Sequence, residues 1–371
     1  MSESKVLLDL VQKELDEFCD ARKIEFSQIS TDLSVIPDYT KSLLSGGKRF
    51  RALFCYWSWV AALDVASTQQ TPEQKSRSTE AMVGICSALE MFHAAALVHD
   101  DLLDQSDTRR GEPAVHKRFE QLHTASGFAG SAERFGQAGS VLVGDMMLGW
   151  SSEIFGQALL KSPNPIIETH CREEFSKMRI EVMAGQYLDV LEENAAPIRS
   201  VDEAVGRANR VILYKTAKYS IEAPLLIGAA FAGAEPATLR ALSAFGIPLG
   251  MAFQLRDDIL GVFGDPAVTG KPIGDDLREG KRTVLVALTR QSLMPSVGKI
   301  FDELLTQRSA EPEQIAFLQQ TIKGSGALAK TEQMIEQLAD ESLAALERLE
   351  LEPVAKQMLR DLAMRVINRQ A

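Results

Sequence analysis

Two stretches of the chain crowd carboxylates onto helical faces. His99 to Gly111 reads HDDLLDQSDTRRG, and on a helix Asp100 and Asp104 share a face one turn apart, Asp107 lies about a turn beyond, and Asp101 is rotated by about 100°. Like charges stacked in this way oppose a helix unless a cation sits between them. Mg²⁺ would serve, because it takes oxygen ligands and is usually held by one or two carboxylates together with substrate phosphates. The second stretch, FQLRDDILGVFGD from Phe253 to Asp265, sets Asp257 and Asp258 inside an otherwise apolar helical pattern. One acidic helix end is ordinarily solvated surface, whereas two in one chain, the first emerging from an apolar helix, point to a use.

Cations in short, rigid contexts accompany these carboxylates: Gly46-Gly47-Lys48-Arg49-Phe50-Arg51, Thr108-Arg109-Arg110-Gly111, Tyr214-Lys215-Thr216, and Lys271 and Lys281 on a glycine-rich stretch. Each cluster alone reads as surface charge. Joined to metal-binding carboxylates they describe a diphosphate site, since Arg offers a planar bidentate fork and Lys a point charge to phosphate oxygens.

The elements that must position these groups are helices. Apolar residues recur with helical periodicity nearly throughout, and no alternating β-branched run is long enough for a sheet, so the predicted class is all-α. Near the C-terminus Leu328, Ile335, Leu338 and Leu346 share one face, opposite Lys330, Glu332, Glu336, Asp340 and Glu347. Met82 to Val98, MVGICSALEMFHAAALV, is apolar almost all round and predicts a helix enclosed by others, in which Ser87, Glu90 and His93 need partners. Loops are expected over 67–78, 124–139, 161–165, 194–200, 264–280 and 308–313. None resembles an interdomain linker, and there is no fixed-period repeat, so residues 1–371 are expected to form a single large helical domain.

A net charge of −11 disfavours nucleic acid and anionic lipid as partners. With 45% hydrophobic and 25% charged residues the chain is neither disordered nor an integral membrane protein by composition. The longest strongly apolar stretch without charge, Ala223 to Ala234, is too short to span a bilayer. Cys19, Cys55, Cys86 and Cys171 are widely spaced with no C-x-x-C and read as buried hydrophobes. Together with a start that lacks signal-peptide character, this predicts a cytoplasmic protein.

The sequence resembles the trans-type isoprenyl diphosphate synthases, and most of all the geranylgeranyl diphosphate synthases of the actinobacterial kind. The likeness covers nearly the whole chain through GGKRFR, MFHAAALVHDDLLDQSDTRRG, VGD, GQYLD, YKTAKYS, FQLRDD and GKPIGDD with Lys281. It implies an isoprenoid-synthase fold around a central cavity, the two aspartate motifs facing each other across its mouth, and a homodimer. Asp100 and Asp104 match ligands for two Mg²⁺ ions on an allylic diphosphate, with Asp101 in support; Asp257 matches the ligand of a third ion, with Asp258 nearby. Arg109, Lys215 and Lys271 match the allylic-diphosphate clamp, and Lys281 a basic residue brought over the phosphates on closure. Lys48, Arg51, His93 and Arg110 match the isopentenyl-diphosphate site. Gln186, Asp189 and Gln254 match polar chamber positions, and Thr216 beside Lys215 one that steadies a developing cation.

One position departs from the pattern: the second motif reads DDILG, with Gly261 in place of a third aspartate, and Asp265 one turn on is a candidate replacement or a loop cap. The implied reaction is ionisation of dimethylallyl, geranyl or farnesyl diphosphate, condensation with isopentenyl diphosphate and loss of a proton, which needs no side-chain nucleophile. Below Asp100 the tunnel-wall positions are Ala96 and Ala95, with Phe92 and Leu89 one turn further down as candidate floor. A turn rises about 5.4 Å, close to one isoprene unit, so this arrangement predicts a twenty-carbon product over fifteen, with farnesyl or longer-chain synthesis as the alternatives. A terpene cyclase is opposed by GGKRFR with His93 and by DDILG. A metal phosphohydrolase built on His99-Asp100 leaves the second motif unexplained, and a non-catalytic prenyl synthase subunit would have eroded aspartates.

Overall fold

The computed structural model describes residues 3–63, 71–162, 164–265, 273–307 and 311–368. It is a helical protein, with the expected class met almost throughout. The exception among the described residues is a two-residue ladder pairing β1 (Thr108–Arg109) with β2 (Glu112–Pro113), too short to announce itself by alternation. The chain divides into two compact units, residues 1–56 with 63–169, and residues 57–62 with 170–371.

In the first unit, α1 (Glu3–Ile29), α2 (Val35–Leu44), the start of α3 (Phe50–Ala62), α5 (Val115–Ala125) and α6 (Ala132–Leu159) gather about α4 (Pro72–Leu103). Residues 81–92 of α4 are buried without a break, as its all-round apolar sequence requires. By length and composition α4 could cross a membrane, yet 83% of its most apolar window is buried inside the protein, which makes it a core helix. It begins earlier than the polar composition of 67–78 implies. Thr71 accepts from the Gln74 amide while Gln74 accepts from the Thr71 amide, a capping box followed by Pro72 in the first turn. Likewise Ser131 caps α6 through the Arg134 amide, so helix replaces the end of the loop expected over 124–139. The polar groups of α4 do find partners: Ser87 donates to Glu14 at 3.4 Å, and Glu90 pairs with Arg49 at 3.5 Å.

In the second unit, α7 (Pro165–Ala195), α8 (Ala204–Val211), a π-helical stretch (Ile212–Glu222), α9 (Ala223–Phe231) and α10 (Pro236–Phe263) follow in order. The apolar run that was too short for a bilayer is α9, buried over its whole length. Next come α11 (Asp275–Glu279), α12 (Val284–Ser292), α13 (Pro295–Leu305), α14 (Pro312–Ser325), α15 (Ala327–Glu347) and α16 (Pro353–Ile367). α15 is the amphipathic helix anticipated near the C-terminus. It lies on α10 with Ile335 and Leu346 buried and Leu328 and Leu338 half-buried, and the Ser342 hydroxyl donates to the Phe245 carbonyl at 2.8 Å. All four cysteines are buried and free.

Candidate active site

The first motif sits where α4 leaves the core. Beyond the buried run 81–92, the half-buried positions His93, Ala96, Leu97, Asp100 and Asp104 fall on one stripe at helical spacing, so the face that carries the aspartates is also the accessible one. The Asp104 amide caps the helix on the Asp100 carbonyl at 2.8 Å. Gln105 then takes a left-handed conformation, φ 58°, and turns the chain into the short hairpin. At the hairpin tip Arg110 and Gly111 both have positive φ, 54° and 81°, as a tight primed turn demands. That turn aims two consecutive arginines in different directions. Arg109 donates from Nε to the buried Asp101 carboxylate at 2.8 Å, with its Nη2 also on Asp101 and 3.8 Å from Asp100. Arg110 donates to the carbonyls of Leu43 and Ser45, both at 3.2 Å, and so ties the hairpin to GGKRFR.

Around GGKRFR, Gly46, Gly47 and Arg49 are all left-handed, and a Cβ on Gly47 would lie 2.9 Å from Arg110 Nη2. Lys48 is exposed and Arg51 half-buried, while Arg49 is buried against Glu90 and the Leu44 carbonyl. His93 stands among these cations. Burial first, and then the positive charges of Arg51, Arg110, Arg109 and Arg49, hold its imidazole well below the usual range, so it is neutral near pH 7. Burial and the neighbouring Arg49 also press the Arg110 guanidinium downward. Crowded cations around one neutral imidazole suit a diphosphate, whose oxygens accept charge-assisted hydrogen bonds from Arg and Lys.

The second unit carries its own cluster of the residues singled out from the sequence. Lys215 and Thr216 lie on the π-helical stretch, a form that recurs at functional sites because it re-aims side chains. Lys215 reaches Asp189 on α7 at 2.5 Å. Thr216 donates to Gln254 Oε1 at 2.7 Å, and Gln254 Nε2 donates to Asp258 Oδ1 at 2.8 Å, a relay that joins the π stretch to the second motif on α10. Gln186 and Asp257 are half-buried on α7 and α10. Asp258 is buried, and its Oδ2 has no hydrogen-bond partner among the described residues. Burial is the main cause pushing its carboxyl well above the usual range, with Asp276 and Asp257 adding to the effect. Lys281 lies between Glu279, at 2.6 Å, and Asp276, at 3.7 Å. Lys271 falls outside the described residues.

The donor set suits a magnesium ion shared with a phosphate. Among the described residues no group of three or more His, Cys, Asp or Glu side chains is arranged to cage a metal unaided. Mg²⁺ held by one or two carboxylates, with phosphate and water completing its shell, needs no such cage, and the unpartnered Asp258 oxygen fits a cation-seeking site. Within each unit the residues singled out from the sequence are brought together, although Asp101 faces Arg109, and Ala95, Phe92 and Leu89 are wholly enclosed while Ala96 is half-buried. Arg49, Gly144, Asp145 and Gly185 belong to motifs read from the sequence, but the sequence assigned them no role. A Cβ on Gly144 would lie 2.2 Å from His99 Nε2, and Asp145 is 3.5 Å from the same nitrogen, which explains why VGD accompanies HDD. A Cβ on Gly185 would lie 2.4 Å from the Lys215 amide nitrogen, so GQYLD includes a glycine because α7 touches the π backbone there.

Comparison with known proteins agrees with this chemistry. A family model described as Polyprenyl synthetase matches residues 34–322. A geranylgeranyl diphosphate synthase of Sulfolobus acidocaldarius is 32% identical over 78% of this chain and 77% of its own. A (2E,6E)-farnesyl diphosphate synthase of Mycobacterium tuberculosis is also 32% identical, over 76% of this chain and 72% of its own. Among solved structures, a geranylgeranyl pyrophosphate synthase from Corynebacterium glutamicum, complexed with isoprenyl diphosphate and magnesium, superposes with a TM-score of 0.89 at 37% identity, covering 98% of both chains. The chain belongs to the polyprenyl synthetase family. It is a prenyltransferase, a trans-prenyl diphosphate synthase acting on isoprenoid diphosphates.

Proposed function

We propose that the protein, acting as one catalytic domain over residues 1–371, condenses isopentenyl diphosphate head-to-tail with dimethylallyl, geranyl and farnesyl diphosphates to give geranylgeranyl diphosphate and diphosphate. What supports the product length is the order of side chains along α4, where the small Ala95 and Ala96 precede Asp100 and the bulky, buried Phe92 and Leu89 lie a turn deeper. Mg²⁺ ions, three in all, held by Asp100 and Asp104 and by Asp257 with Asp258 beside it, would stabilise charge on the departing diphosphate. Arg109, Lys215, Lys271 and Lys281 neutralise the allylic phosphate oxygens, and Lys215 is already held in place by Asp189. Lys48, Arg51 and Arg110 take the isopentenyl diphosphate, with neutral His93 offering a hydrogen bond without adding charge. Thr216 and Gln254, fixed by their mutual hydrogen bond, turn oxygens toward the developing allylic cation, and Gln186 and Asp189 contribute to the polar chamber wall. The proton lost after condensation goes to the released diphosphate.

The protein acts as a homodimer in the cytoplasm. The exposed Phe128, Phe135, Val141 and Leu142 offer apolar surface of the kind a second copy covers, and four unbridged cysteines suit a reducing compartment. The test is incubation of the purified protein with isopentenyl diphosphate, each allylic primer and Mg²⁺, with chain lengths resolved by chromatography. A twenty-carbon end product is expected. A farnesyl or longer end point overturns the product assignment, and failure with every primer overturns the reaction.

A further inference from the structure

Gly261 interrupts the second motif one helical turn after Asp257, on the same face of α10. Its backbone does not require glycine, since it is absent from the left-handed positions, and glycine inside a helix is less favourable than alanine. Space requires it instead. A Cβ at 261 would lie 2.0 Å from Asp276 Oδ2 and 2.3 Å from Asp276 Cγ, so the Asp276 carboxylate occupies the volume in which a side chain at 261 would begin. Asp265, the replacement considered from the sequence, is exposed, and it is not among the atoms nearest to Gly261. Asp276 arrives on α11, only 9% exposed, and the same short segment brings Lys281, whose Nζ is 3.7 Å from Asp276 Oδ1.

We propose that Asp276 is a positioning residue for Lys281, with Gly261 as the seat that lets its carboxylate dock against α10. The acid that the motif lacks at 261 is supplied from the following segment, and it comes with the lysine it steers. Any side chain at 261 would displace Asp276 and leave Lys281 drawn toward Glu279, 2.6 Å away, instead of shared between the two carboxylates beside the second motif. This rests on the proposed role of Lys281 toward phosphate.

The test compares Asp276→Asn, Lys281→Gln and the double variant, reading the binding of inorganic diphosphate in the presence of Mg²⁺ by calorimetry, alongside kcat and KM. Asp276→Asn keeps shape and removes charge. It is expected to weaken diphosphate binding about tenfold, the size of one charge-assisted contact, with little further loss on adding Lys281→Gln. Gly261→Ala should reproduce that loss in the native background and add nothing to Asp276→Ala. Normal diphosphate binding by Asp276→Asn, or losses that multiply in the double variant, would overturn the proposal. A wild-type protein that binds no diphosphate would instead overturn the reading of the site on which it rests.

Discussion

Arg109 and Asp101 are locked together: the guanidinium donates from Nε at 2.8 Å to a carboxylate that is 1% exposed. The middle aspartate of the first motif therefore holds an arginine, while Asp100 and Asp104 lie on the accessible stripe. Asp101→Asn should free Arg109, raising KM for the allylic substrate more than it lowers kcat. Asp100→Ala should remove most of the turnover. Steady-state kinetics with geranyl diphosphate separate the two.

The contact between Gly185 and the π-helical backbone leaves no room for a methyl group, since a Cβ there would lie 2.4 Å from Lys215 N and 2.6 Å from Tyr214 C. Gly185→Ala must push α7 and the π stretch apart and carry Lys215 with it. Displacements near 1 Å cost about 100-fold in rate, and a loss of that order in kcat is expected. A variant with unaltered kinetics would show that the two backbones separate at no cost to the site.

Arg49 and Glu90 are both nearly buried, at 6% and 7% side-chain exposure, and Glu90 also accepts from the Ala52 amide. Removing one partner strands a charge in the core. Glu90→Leu should therefore destabilise by about 3–5 kcal/mol, whereas the matched change Arg49→Met with Glu90→Leu should recover much of that, as seen by urea denaturation.

His93 has a folded-state pKa well below its ordinary 6.5, pressed down by burial and by Arg51, Arg110, Arg109 and Arg49. The unfolded chain then binds the extra proton more readily, so the stability due to neutral His93 is fully present above about pH 6.5 and is lost as the pH falls toward the folded value. His93→Gln should flatten the decline of melting temperature between pH 7 and pH 5. An unchanged slope would assign the acid sensitivity to other groups.

Phe92 is enclosed, at 1% exposure, one turn below the alanines that precede Asp100. Phe92→Ala should open space there, cost about 3–5 kcal/mol in stability and shift products toward longer chains. An unaltered product profile would remove Phe92 from the floor of the chain-length wall.

The helical class, the core helix α4, the amphipathic α15 and the clustering of basic and acidic groups within each unit were legible, because periodicity and charge are local properties of sequence. Two helix starts were hidden by polar first turns that look like loop until Thr71-Gln74 and Ser131-Arg134 are seen as caps. The pairing of Arg109 with Asp101 and the seat of Asp276 at Gly261 could not be read in advance. Each depends on where a turn or a short helix returns the chain, and neither has a periodicity of its own.

The π stretch from Ile212 to Glu222 holds more residues per turn than an α-helix over the same rise. Deleting a single residue from it would allow ordinary i to i+4 bonding to close, at the price of rotating everything on one side by about 100° about the axis. Lys215 and Thr216 would then lose register with Asp189 and Gln254 although no residue in the relay had been altered. Length in this segment is thus as constrained as identity, and it should tolerate conservative replacement far better than any insertion or deletion.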